Sequence, residues 1–86
     1  MSAIALALYN RPGCHLCEEM KAVMEPVLRE FGCTLEEIDI SGQADLEARF
    51  GLEIPVLCVN GRKAFKYRVT GLELRKRLAR ESSERA

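Results

Sequence analysis

The residues best placed to do chemistry are Cys14 and Cys17, three apart in "YNRPGCHLCEEM", where an apolar run gives way to charge. Two sulfurs at that spacing can exchange disulfides, form part of a metal site, or simply pack. From Leu16 the apolar residues Leu16, Met20, Val23, Met24, Val27, Leu28 and Phe31 recur at three and four, so a helix begins at the cysteines. A sulfur at a helix start meets unpaired N–H groups and the positive end of the dipole, which stabilise a thiolate. Cys14 precedes the apolar stripe and is expected to attack; Cys17, one turn along and more enclosed, is expected to resolve the mixed disulfide. A protonated His15 would favour the Cys14 thiolate, and Arg11 adds positive charge on the approach. Glu18 and Glu19 oppose this, so a moderate lowering of the Cys14 pKa is expected rather than an extreme one.

The remaining cysteines do not complete a metal site. Structural zinc wants four ligands, usually as two close pairs, and Cys33 and Cys58 stand alone. Both read as small packing residues: Cys58 lies inside the apolar "PVLCV", and Cys33 follows the helix-ending Gly32. No metal and no tightly bound cofactor are expected.

The elements that must position the pair can be read along the chain. Ala3 to Tyr9 is a nearly continuous apolar run, which suits a strand covered on both faces. The helix after it should end at Gly32 and kink at Pro26. Leu35, Ile38 and Ile40 among acidic neighbours suggest a second strand, and "DISGQADLEARFG" a loop and short helix, with Asp39 or Ser41 near its start and Gly51 at its end. Runs at Val56 to Val59 and Arg62 to Val69 flank Asn60-Gly61, a dipeptide suited to a type I′ hairpin turn. Thr70, with Glu73 three residues on, forms a capping box for a last helix carrying Leu72, Leu74 and Leu78. Beyond Arg80 a frayed tail, residues 81–86, is expected. The order β-α-β-α-β-β-α requires a right-handed parallel crossover and adds an antiparallel hairpin, which gives an α/β domain with a mixed four-stranded sheet.

Composition narrows the setting. The chain has 86 residues, 48% hydrophobic and 30% charged, which fits a single globular domain over residues 1–86 and argues against disorder. No apolar run approaches the length of a membrane span, and "MSAIALALY" lacks the basic start and cleavage region of a signal peptide. The expected compartment is the reducing cytoplasm, where a close cysteine pair is more often catalytic or metal-binding than a permanent staple. Net charge is zero but unevenly spread: four basic and ten acidic side chains lie up to Val59, nine basic and three acidic from Asn60 onward. Nucleic acid is not an expected partner, because the basic part has only Phe65 and Tyr67 as aromatics and both fall in a strand pattern.

The segments "YNRPGCHLC", "EIPVLCVNGR" and "VTGLEL", in this order, resemble the glutaredoxins and glutaredoxin-like proteins of the thioredoxin fold. The resemblance runs to about Leu78 and implies helices on both faces of the sheet. It implies a cis peptide before Pro55, in a loop facing the cysteines, with Ile54 offering backbone groups to an extended thiol substrate. It also implies a glutathione site: Arg11 for a carboxylate, Ile54 and Pro55 for the cysteinyl part, and Thr70 with the helix start for the γ-glutamyl end. Two departures stand out. The usual double glycine and polar pair are replaced by Val69-Thr70-Gly71-Leu72-Glu73, where a folded-back Glu73 would repel a carboxylate, and His15-Leu16 replaces the Pro-Tyr common between the cysteines of dithiol glutaredoxins. His15-Leu16 instead resembles a small glutaredoxin-like family whose members often lack an assigned substrate.

The expected function is therefore a small monomeric thiol-disulfide oxidoreductase serving redox homeostasis and electron transport. Its partner would be a disulfide-containing protein or a glutathione mixed disulfide, with glutathione as co-substrate. The alternatives are a thioredoxin-fold adaptor without turnover and a glutathione-assisted iron-sulfur cluster binder.

Overall fold

The computed structural model describes residues 4–84. Strand β1 (Leu6–Asn10) leads through a short loop into helix α1 (His15–Phe31), and β2 (Leu35–Asp39) follows. Helix α2 (Ala44–Phe50), strands β3 (Val56–Val59) and β4 (Arg62–Lys66), and helix α3 (Gly71–Glu84) complete the order expected from the sequence. The sheet runs β2-β1-β3-β4. β1 and β2 are parallel, whereas β1–β3 and β3–β4 are antiparallel.

Alternation along β1 and β3 divides the core between two faces. Leu6, Leu8, Leu57 and Val59 pack with Met20, Met24 and Val27 of α1 and with Leu74 and Leu78 of α3. On the other face Ile40, Val56 and Cys58 pack with Phe50 of α2, and the Tyr9 ring stacks on Phe50 at 4.3 Å. β3 is buried at every position, as its unbroken apolar run requires.

Several boundaries differ from the expectation. β1 begins at Leu6 rather than Ala3; of its earlier part, Ala3 lies outside the described residues. The end of α1 is as expected: the helix runs through Pro26 to Phe31 and Gly32 caps it, with the Gly32 and Cys33 amides donating to the carbonyls of Arg29 and Leu28. The N-cap position of α2 is Gln43, which makes no side-chain cap hydrogen bond, and Asp39 instead accepts the Ser41 N–H at 2.8 Å in the loop before the helix. β4 stops at Lys66, short of Val69, because Tyr67 takes φ +69°, outside strand geometry. Asn60 and Gly61 both have positive φ, 51° and 82°, as the type I′ turn demands. Leu72 is 61% exposed, while Leu74 and Leu78 carry the buried stripe.

Helix α3 runs to Glu84, and of the tail expected to fray, residues 85–86 lie outside the described residues. Its last turns are tied down through Glu81, which accepts from Asn60 Nδ2 at 2.7 Å and from Arg77 Nε at 3.0 Å. The tie is tertiary, between α3 and the hairpin turn, so helical periodicity gave no sign of it.

Candidate functional site

Strand directions bring three connections to one end of the sheet. β1 ends beside the start of β3, with Tyr9 opposite Val56, so the loop from Arg11 to Cys14 lies at the end where Ile54 and Pro55 enter the sheet. Lys66, the last residue of β4, pairs with Val56, so the segment from Tyr67 to Thr70 emerges there too. Gly13, with φ +76°, turns the chain from β1 into α1, a conformation open to glycine at little cost.

Cys14 is the N-cap of α1. Its sulfur accepts the Cys17 N–H at 3.1 Å, and its carbonyl accepts the Glu18 N–H at 3.1 Å. The two sulfurs form a disulfide with a Cα–Cα separation of 5.2 Å. Cys14 is partly exposed and Cys17 only 1% exposed, so an incoming sulfur meets Cys14 first. His15 is exposed on the first turn of α1. The Cys17 amide, in the first turn of α1, is thus directed at Cys14 Sγ.

The Ile54–Pro55 peptide is cis. The Pro55 carbonyl accepts the Tyr67 N–H at 2.9 Å, and the Tyr67 hydroxyl donates to the Leu52 carbonyl at 3.0 Å, so Tyr67 braces this loop at two points. Pairing of β3 with its neighbours begins at Val56, and no hydrogen bond among the described residues uses the backbone of Ile54. Its amide and carbonyl are available to an extended segment laid beside the cysteines.

The other expected contacts have partners within the chain. The Arg11 guanidinium pairs with Glu47 of α2, a helix on the far face of the sheet from α1 and α3. Thr70 and Glu73 complete the capping box: Glu73 Oε1 accepts the Thr70 N–H at 2.9 Å, and Thr70 Oγ1 accepts the Glu73 N–H at 3.1 Å. Beside Leu16 a groove of about 270 Å³ runs between α1 and the Tyr67–Thr70 segment. Tyr67 is the site residue that sequence reasoning missed. In "KYRV" it has the pattern of an ordinary strand residue, and its positive φ is visible only in three dimensions.

Burial pushes the thiols of Cys33 and Cys58 above the ordinary range; for Cys58, Lys63 and Arg49 act weakly against the shift. Neither stands at a helix start as Cys14 does. Among the described residues no group of three or more His, Cys, Asp or Glu side chains comes together as a metal site would require.

The profile described as "Glutaredoxin-like domain (DUF836)" matches residues 5–79. The chain belongs to this glutaredoxin-like family. A "Glutaredoxin-like protein YDR286C homolog" from Dictyostelium discoideum is 30% identical over 73 residues, covering 78% of this chain and 68% of that protein. An X-ray structure of a structural-genomics target from X. campestris superposes with a TM-score of 0.75 at 30% identity, over 88% of this chain and 97% of that one. The fold is wider than the family: a thioredoxin-2 of the malaria parasite superposes with a TM-score of 0.67 at 15% identity, over 91% of this chain and 82% of that one. This glutaredoxin-like domain thus has the thioredoxin fold, with its cysteine pair at the start of α1 and its cis-proline entering β3. No helix among its described residues is long and apolar enough to cross a membrane.

Proposed function

We propose that this glutaredoxin-like protein is a dithiol oxidoreductase in which Cys14 attacks a substrate disulfide and Cys17 resolves the product. The observation that carries the reading is the 3.1 Å hydrogen bond from the Cys17 amide to Cys14 Sγ, on a sulfur that is partly exposed while its partner is buried. In the first step the Cys14 thiolate attacks one sulfur of a substrate disulfide; the Cys14–substrate bond forms, the substrate S–S bond breaks, and the other substrate sulfur leaves as a thiolate that takes a proton from water. Cys17 then gives up its proton and attacks Cys14 Sγ. The Cys14–Cys17 disulfide forms and the second substrate thiol leaves, so two electrons pass from protein to substrate. A thiol or dithiol reductant returns the pair to its starting state. Pro55 and the open backbone of Ile54 hold the substrate, and the reducing cytoplasm is the natural setting for the cycle.

The test follows reduction of a small disulfide by the reduced protein. Cys14→Ser is expected to abolish turnover, whereas Cys17→Ser should accumulate a mixed disulfide visible by intact mass. Full turnover by both variants would sink the proposal. Alkylation of the reduced protein against pH separates enzyme from adaptor: an enzyme shows a Cys14 titrating below an ordinary thiol, an adaptor an ordinary one.

A further inference from the structure

The groove beside Leu16 carries charge as well as apolar surface. Its walls include Leu16 and Val23 of α1 and Tyr67 of the connection to α3, and Glu19, Arg68 and Glu73 also line it. Val23 and Tyr67 are 37% and 42% exposed, and Leu52, in the loop that Tyr67 braces, is 93% exposed. Apolar side chains left open at the reactive end of the sheet suit contact with another polypeptide. At the start of α3, the Thr70 amide that could receive a substrate carboxylate is taken by the chain's own Glu73. An incoming carboxylate would have to displace that bond and lie beside a like charge.

Resting on the exchange reaction above, we infer that Glu73 is a specificity-determining residue that turns the site away from glutathione and toward a cysteine-bearing polypeptide segment with a neighbouring apolar and a neighbouring basic side chain. The apolar side chain enters the groove between Val23 and Tyr67. The basic one lies in the groove near Glu73 and Glu19, which share it with Arg68, whereas Lys76 and Arg77 border Glu73 in a separate pocket, and the segment's backbone meets Ile54. Glutathione has no apolar side chain for the groove, and the carboxylate of its γ-glutamyl end would meet an amide that Glu73 already satisfies.

The experiment measures rates of the reduced full chain with four disulfides at low ionic strength: bis(2-hydroxyethyl) disulfide, glutathione disulfide, and the symmetrical disulfides of two short unstructured peptides. The peptides share a leucine beside the cysteine and differ only by Lys or Glu two residues away. Each protein's rates are expressed relative to its own rate with the neutral small disulfide. The wild type is expected to prefer the Lys peptide to the Glu peptide several-fold and to react with glutathione disulfide more slowly than with the Lys peptide. Glu73→Gln, which keeps a capping-box partner and hence the helix start, should remove most of the Lys preference and raise the relative glutathione rate several-fold. Faster reaction of the wild type with glutathione disulfide than with the Lys peptide overturns the inference, as does a Lys-to-Glu ratio unchanged by Glu73→Gln. Failure to reduce even the neutral disulfide overturns the exchange reaction itself, and this assignment with it.

Discussion

The first turn of α1 presents its amide to a sulfur, Cys14 Sγ at 3.1 Å from the Cys17 nitrogen, whereas the first turn of α3, at the same end of the sheet, closes on itself through Thr70 and Glu73. Both starts have the unpaired N–H groups of any helix. The difference lies in what satisfies them. In α1 the acceptor is the sulfur of the partly exposed Cys14, joined to Cys17 in a disulfide. In α3 it is a carboxylate of its own first turn, so that helix start is closed by its own side chains.

That contrast can be tested in order of size. The largest effect should come from Leu74→Ala, which empties a fully buried site shared by α3, α1 and the sheet. It is expected to cost about 2–5 kcal/mol of unfolding free energy in urea titration. A cost near that of a surface substitution would show that α3 is not packed as described and that its capping box holds up nothing. Thr70→Ala removes the reciprocal cap and should cost about 1 kcal/mol. A loss of several kcal/mol in that variant would mean the α3 start carries more of the fold than a helix cap can.

The smallest effect concerns acid. Hydrogen bonds from Asn60 and then Arg77 hold the Glu81 carboxyl below its ordinary value of 4.5. A carboxyl lowered on folding adds stability that is complete above its unfolded value and is lost as pH falls through the folded one. Amide exchange should therefore show the last turn of α3 losing protection before the Leu74 to Leu78 segment as pH drops below about 4. Equal loss along the helix would break the picture of an end held by one tertiary tie.

Much of the site was legible in the chain because its signals are local. The spacing of Cys14 and Cys17, the apolar stripe from Leu16, the Asn60-Gly61 turn and the Thr70–Glu73 cap each depend on residues within a turn or a hairpin of one another, where helical and strand periods fix what faces what. The Arg11 expectation was of another kind, since it depended on where a long flexible side chain goes. A carboxylate on α2 was within its reach, and nothing in the neighbouring sequence announces that.

The sequence by itself determined the order of elements, the thiol pair at a helix start and the capping box of α3, because short-range sterics and hydrogen bonding act on neighbours along the chain. Only the tertiary structure decided that Tyr67 braces the Leu52–Pro55 loop, that Glu81 anchors the end of α3 to the hairpin, and that Arg11 turns toward Glu47. Those contacts join residues far apart in sequence, and they exist because strand pairing brings separate connections to the same end of one sheet.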